Sequence, residues 1–129
     1  MPVPGRELEG LKILVVEDNF LVAEYLRDML EDHGCEVVGP APRVRLALDL
    51  LQGESKLDAA ILDINLNGEF CFPIATALRA ASIPFLFLTG YDDDTIVPAD
   101  FKSTRHLPKP VERTQLLEAI LEIHGQPGS

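Results

Sequence analysis

Tryptophan is absent from this chain, cysteine occurs only twice, and basic residues are scarce: 11 Lys and Arg stand against 21 Asp and Glu, a formal charge of −10. That balance argues against nucleic acid, because phosphate backbones are bound through clustered Lys and Arg, and no basic stripe is present. Cys35 and Cys71 lie far apart, with no CxxC or Cys/His spacing. Zinc and a disulfide framework are therefore disfavoured, and both cysteines read as buried, reduced thiols. No apolar run approaches the roughly 20 residues needed to span a bilayer. The opening Met1-Pro2-Val3-Pro4-Gly5-Arg6-Glu7 has no apolar signal core, so no secretion signal is read. These absences predict a cytoplasmic protein with neither a membrane nor a nucleic-acid partner. What is present, 47% hydrophobic and 25% charged residues over 129 positions, fits one globular domain with a proper core.

Along the chain, apolar runs alternate with helical patterns, the signature of a parallel sheet covered by helices on both faces. Strands are predicted near 11–17, 35–38, 58–63, 83–88 and 105–108. Phe85-Leu86-Phe87-Leu88 is too continuously apolar for a half-exposed strand and should lie centrally. Asn19 suits the N-cap of a first helix. Leu21, Val22, Tyr25, Leu26, Met29 and Leu30 follow as a stripe at helical spacing, and Gly34 closes it. Further helices are predicted over about 43–51, from Pro73 to Ala81, and from Glu112 to Ile123, the last burying Leu116, Leu117, Ile120, Leu121 and Ile123. Between Thr89 and Arg105, Pro98 and the β-branched Thr95, Ile96 and Val97 are poor helix material, so the fourth helix should be short or irregular. The first ten and last five residues read as tails.

Chemistry is concentrated where the apolar runs stop. The first ends in Glu17-Asp18, the third in Asp63, and the last in Lys109-Pro110. A buried strand that stops on an acid places it at the strand's carboxyl end, where open α/β sheets hold their ligands. Three carboxylates meeting there would repel one another unless a cation joined them, and Mg²⁺ suits an all-oxygen site that keeps several waters. With the lysine as a second positive charge, the set is suited to receive a phosphoryl group.

Glu17-Asp18, Asp63, Thr89 and Lys109-Pro110, each at a strand end and in this order, resemble the receiver domain of two-component response regulators over roughly residues 11–124. The resemblance implies a flavodoxin-like, doubly wound, five-stranded parallel sheet of order 2-1-3-4-5, forming a single receiver domain within residues 1–129. Pro84-Phe85-Leu86-Phe87-Leu88-Thr89-Gly90-Tyr91 is also similar to a receiver subgroup with a Phe-Ala-Thr-Gly-Tyr-like signature. That subgroup is common among alphaproteobacterial single-domain regulators and often pairs with atypical histidine kinases. Leu88 stands here where Ala is usual.

The resemblance implies roles residue by residue. Asp63 would attack phosphorus in a phosphohistidine or small phosphodonor to give an acyl phosphate, through a charge-rich transition state served by positioning and neutralisation. Mg²⁺ would be held by Asp18, Asp63 and the Asn65 backbone carbonyl, with Glu17 acting through a water. Lys109 would pair with Asp63 at rest and with a phosphoryl oxygen afterwards, its side chain aimed by a cis Pro110. The Thr89 hydroxyl would swing inward to another phosphoryl oxygen, because phosphorylation places about two negative charges on Asp63. Asn65 and Tyr91 should tune the acyl phosphate's lifetime by flanking the path of the hydrolytic water. His106 occupies the position three before the lysine, where receivers carry a Tyr or Phe that flips inward. The partners implied are a histidine kinase or phosphotransfer protein and a downstream protein target. No output domain is read after residue 124, so the protein is expected to act by binding a partner or by passing phosphate on. No oligomeric state is assigned.

Each residue has a plainer reading. Glu17-Asp18 could be polar residues leaving a strand, Asp63 a turn residue before Asn65, Asn67 and Gly68, Lys109 a surface lysine and Thr89 a turn opening. His106 could be a partly exposed edge-strand histidine, while His33 and His124 suit helix C-termini. Two other functions are weighed. One is a phosphorylation-independent interaction module on the same fold, against which the intact acidic set argues. The other is a phosphohydrolase resembling the haloacid-dehalogenase class, which needs a second acid where Asn65 stands and a cap for which there is no room. A Rossmann dinucleotide site is a poor fit, because no glycine fingerprint follows the first strand and Glu17-Asp18-Asn19 would repel a pyrophosphate there.

Overall fold

Four consecutive apolar side chains, Ile13 to Val16, are fully buried in the first strand, β1 (Lys12–Val16), which is flanked on both sides by other strands. A computed structural model describes residues 7–54, 56–90 and 93–125. The strands that follow are β2 (Glu36–Ala41), β3 (Ala59–Asp63), a two-stranded hairpin of β4 (Asn65–Leu66) and β5 (Glu69–Phe70), β6 (Phe85–Thr89) and β7 (His106–Pro108). Five of them form a parallel sheet in the order β2-β1-β3-β6-β7, the expected flavodoxin-like winding with the hairpin inserted after β3. Register pairs Val16 with Leu62, Asp63 with Leu88, and Thr89 with Pro108, so the carboxyl ends of four strands line up along one edge.

Helices α1 (Phe20–Asp32), α2 (Val44–Gly53), α3 (Phe72–Ala80) and α4 (Arg113–His124) complete the layers. One face of the sheet, with Ile13, Val15, Ile61, Leu86 and Leu88, packs on Leu26, Met29 and Leu30 of α1 and on Leu116, Leu117 and Ile120 of α4. The other, with Leu14, Leu62 and Phe87, packs on Ala47 of α2 and on Ile74, Ala75 and Leu78 of α3. Asn19 caps α1 as expected, its Oδ1 accepting the Val22 N–H at 3.1 Å, and Glu112, just before α4, caps it by accepting the Gln115 N–H through Oε1 at 3.1 Å.

Three local features differ from expectation. The α1 stripe is displaced: Ala23, Leu26, Met29 and Leu30 form the buried face, while Leu21 and Tyr25 remain 76% and 46% exposed. A buried arc centred on Leu26 leaves Leu21 on the far side of the helix. β2 runs past residue 38 because Gly39, at φ 98°, takes the chain through a register shift opposite β1. A Cβ at residue 39 would stand 2.8 Å from both the Val15 carbonyl oxygen and the Ala41 nitrogen.

The N-terminal tail is anchored well before residue 11. Leu8 is fully buried, and the Gly10 N–H donates to the Gly34 carbonyl at 2.8 Å. The fourth intervening element is irregular, as expected: the chain between β6 and β7 makes two 3-10 turns, Asp93–Ile96 and Ala99–Phe101. Buried Val97 and Phe101 pin this irregular segment to the core. Phe101 stacks on Phe72 with centroids 6.0 Å apart and meets Phe87 edge-on at 5.9 Å. Cys35 and Cys71 are both free and buried.

Candidate functional site

The aligned strand ends deliver the acids to one place. Glu17 leaves β1 buried, donating its N–H to the Ala41 carbonyl at 3.0 Å and accepting the Asn19 N–H through Oε2 at 3.1 Å. The second bond ties its carboxylate to the start of α1 and fixes its direction. Asp63, the last residue of β3, is only 3% exposed, whereas neighbouring Asp18 faces solvent. Carboxylate oxygens of Glu17, Asp18 and Asp63 lie within 4.8 Å of one another. Lys109 follows β7, held by its N–H to the Thr89 carbonyl at 2.9 Å, and its bond to Pro110 is cis. Its ammonium is 3.1 Å from Asp63 Oδ2 and 3.1 Å from Glu17 Oε1.

One cation cannot balance this set. Burial pushes the Asp63 carboxyl up to about 8, Glu17 adds to the rise, and Lys109 opposes it. Burial acts to lower the Lys109 ammonium, but Asp63 and Glu17 outweigh it and its pKa is raised. A divalent cation would relieve the residual repulsion. The all-oxygen donor set, with exposed Asp18 leaving room for waters, fits Mg²⁺. The surrounding cleft is open and measures about 450 Å³.

The remaining predicted residues fall at graded distances. Asn65 lines the cleft, but its Oδ1 accepts the Gly68 N–H at 2.8 Å, so its side chain is committed to the β4–β5 turn. Asn67 and Gly68 both have positive φ, 55° and 99°, in that two-residue loop. Thr89 ends β6 near the cleft, and its hydroxyl donates to the Leu107 carbonyl at 3.3 Å. His106 lies away from the acids, with its half-buried ring edge-on to Phe87 at 5.4 Å and its Nε2 unpaired. Tyr91 lies outside the described residues.

Asp93 is a cleft residue that the sequence reading did not identify. Its Oδ2 accepts the Gly90 N–H at 2.6 Å. The signal was available: an acid three residues after a turn residue has the spacing of a side chain that reaches back to cap.

Comparison with known proteins agrees with this geometry. A family model described as the response regulator receiver domain matches residues 13–121. The sensory transduction protein LytT of Bacillus cereus is 30% identical over 119 residues, covering 90% of this chain and 48% of LytT. The chain thus spans about half the length of the LytT relatives it matches. The solution structure of SdrG from Sphingomonas melonis Fr1 is 39% identical with a TM-score of 0.69, covering 87% of this chain and 97% of SdrG. The receiver domain of the sensor histidine kinase PA1611 from Pseudomonas aeruginosa PAO1, solved with a magnesium ion coordinated in its active-site cleft, shares the fold. It has a TM-score of 0.78 at 23% identity, with 91% of this chain and 99% of that domain covered.

Proposed function

This chain belongs to the response regulator receiver family, and from that premise we propose that it accepts a phosphoryl group on Asp63, from a histidine kinase or phosphotransfer protein, and signals through a protein partner. The observation that carries the reading is the Lys109 ammonium 3.1 Å from both Asp63 and Glu17, beside a third carboxylate. A buried aspartate held by a lysine at the mouth of an open cleft is a nucleophile with room in front of it.

In the transfer, an Asp63 oxygen forms the new O–P bond as the P–N bond to the donor imidazole breaks, and the imidazole leaves with a proton drawn from solvent. Mg²⁺, held by Asp18, Asp63 and the Asn65 backbone carbonyl with Glu17 acting through water, would neutralise charge on the phosphoryl oxygens. Lys109 exchanges its contact with Asp63 for one with a phosphoryl oxygen. Thr89 leaves the Leu107 carbonyl to donate to another, and the corner after β6 moves with it. His106, packed on Phe87 at the back of that corner, senses the movement, while Asn65 and Tyr91 set the lifetime of the acyl phosphate.

We further assign residues 11–124 to one receiver unit, because two apolar layers enclose a single sheet. The sequence of the Pro84–Gly90 stretch supports placement in the Phe-Ala-Thr-Gly-Tyr-type subgroup. No helix among the described residues is long and apolar enough to cross a membrane, consistent with a cytoplasmic role.

The deciding experiment incubates the chain with acetyl phosphate and Mg²⁺ and records intact mass beside an Asp63→Ala control. Mass is the suitable readout because there is no tryptophan whose fluorescence could report the change. One Mg²⁺-dependent phosphoryl adduct, absent from the control, is expected. No adduct from acetyl phosphate or from a panel of phosphorylated histidine kinases would favour the phosphorylation-independent interaction module.

A further inference from the structure

Among the acids that line the cleft, Asp93 is the one for which the phospho-acceptor reading has no use. Its Oδ2 accepts the Gly90 N–H at 2.6 Å, and its own N–H donates back to the Gly90 carbonyl at 3.3 Å. This reciprocal pair closes the corner immediately after Thr89. The corner is tight: a Cβ on residue 90 would stand 3.1 Å from Asp93 Oδ2. The Thr89 hydroxyl is engaged at the same corner by the Leu107 carbonyl. Two donors at the end of β6 are therefore held by protein acceptors, one of them a carboxylate that faces the same cleft as Asp63.

We propose that Asp93 is a positioning residue that holds the Thr89–Gly90 corner in its resting state and resists phosphorylation of Asp63 through like charge. The inference rests on the phospho-acceptor reading and extends it to a residue outside the expected set. Lys109 already serves both Asp63 and Glu17, so no second described cation lines the cleft to screen Asp93 from an incoming phosphoryl group. Added negative charge on Asp63 disfavours Asp93 where it stands. As Asp93 moves away, it gives up the Gly90 N–H and frees the corner to rearrange around Thr89.

A plainer reading makes Asp93 a cap alone, since a side chain reaching back three residues is a common way to satisfy a turn's first N–H. Its place in the cleft favours more. Its charge is also felt inward at Cys71, whose thiol is raised first by burial, then by Asp63, and further by Asp93. The two readings separate on a neutral isostere. A cap tolerates asparagine, which keeps an acceptor oxygen, whereas a charge effect is lost with asparagine as fully as with alanine.

The test uses the full chain with Mg²⁺ and beryllofluoride, which builds a phosphoryl-shaped anion on a carboxylate, followed by ¹H–¹⁵N NMR. Asp93→Asn and Asp93→Ala are both expected to bind beryllofluoride about fivefold more tightly than wild type, the scale of one solvent-screened like charge in the same cleft. Wild-type affinity should rise with added salt, and Asp93→Asn should lose part of that rise, because only the charge is screened. The Gly90 amide resonance should keep its position in Asp93→Asn and move in Asp93→Ala. Unchanged or weaker binding by Asp93→Asn, with the Gly90 amide in place, overturns the inference and leaves a cap. Should Asp93→Ala fail to fold, the asparagine arm still decides. A wild-type chain that takes up no beryllofluoride overturns the phospho-acceptor reading and this inference with it. Binding by wild type without a gain in Asp93→Asn overturns this inference alone.

Discussion

The Lys109 ammonium lies 3.1 Å from Asp63 Oδ2, although the strands that deliver these residues, β7 and β3, are separated by β6. The contact spans a full strand because Lys109 leaves the sheet beyond Pro108 and turns back over the end of β6, tied there by its N–H to the Thr89 carbonyl. The lysine therefore reaches across the ends of the central strands to two acids at once. Substitution here should separate chemistry from binding. Lys109→Ala is expected to slow formation of the Asp63 adduct by about a hundredfold, the scale of removing one preorganised charge from a transition state. Mg²⁺ binding should persist, because the three carboxylates remain. A time course of intact mass with acetyl phosphate measures the first effect and calorimetric Mg²⁺ titration the second; an adduct that forms at the wild-type rate would remove Lys109 from the chemistry.

Stability without metal should fall as pH rises. The folded-state pKa of Asp63 is about 8 and the ordinary value is 3.8, so between them the folded state binds the proton that the unfolded state has released. More protons on the folded side make the slope of stability against pH negative. This contribution is fully present below about pH 4 and is lost as pH climbs through about 8. Mg²⁺ competes with that proton and should therefore raise the melting temperature more at pH 8 than at pH 5. Asp63→Asn should abolish this part of the slope and melt at least about 3 °C above wild type at pH 8 without metal. Scanning calorimetry across pH, with and without Mg²⁺, checks all three; a wild-type slope retained in Asp63→Asn would assign the effect to other groups.

Much of this site was legible because strand ends are legible. A continuous apolar run that stops on an acid fixes both a buried strand and the position of its last carboxylate, and Glu17, Asp63 and Lys109 are brought together in the structure. The missed features depend on contacts between segments. Leu8 is buried because the chain before β1 lies against the loop after α1, where Cys35 Sγ donates to the Leu8 carbonyl. Leu21 and Tyr25 are apolar at helical spacing yet exposed, since periodicity marks a stripe without saying which part of it faces the sheet. The Asn67-Gly68 hairpin was readable from its dipeptide, but Asp63 four residues earlier drew the stretch into a loop.

The irregular segment between β6 and β7, which Val97 also anchors, should owe most of its hold on the core to the Phe101 ring. Phe101 contacts Phe72, Phe85 and Phe87, and the Arg79 guanidinium lies over its face at 4.4 Å while donating to the Asp100 carbonyl. Short 3-10 turns have little stability of their own, so this packing is what holds them. Phe101→Ala is expected to cost about 3–4 kcal/mol, the range for deleting a buried aromatic side chain. Phe101→Leu, which refills much of the space, should cost about 1–2 kcal/mol. Urea denaturation gives both values; an alanine variant within about 1 kcal/mol of wild type would show that the segment is held elsewhere.

Glu17 sets metal binding against stability. Its carboxylate is buried, contacts Lys109, and contributes to the raised pKa of Asp63. Glu17→Gln removes one buried negative charge while keeping an oxygen to accept the Asn19 N–H; it gives up the ion pair with Lys109, which keeps Asp63 as its partner, and the relieved repulsion on Asp63 is expected to outweigh that loss. The variant should melt above wild type in chelator at pH 8. Its Mg²⁺ affinity should nonetheless drop by about tenfold, the usual scale for losing a group that acts on a metal through its bound water. Opposite signs follow only if the same charge that repels Asp63 without metal is what attracts the cation. Paired melting curves and Mg²⁺ titrations on one preparation decide it. A variant that loses both stability and affinity would make Glu17 a structural partner of Lys109, with Asp18 and Asp63 left as the cation's carboxylates.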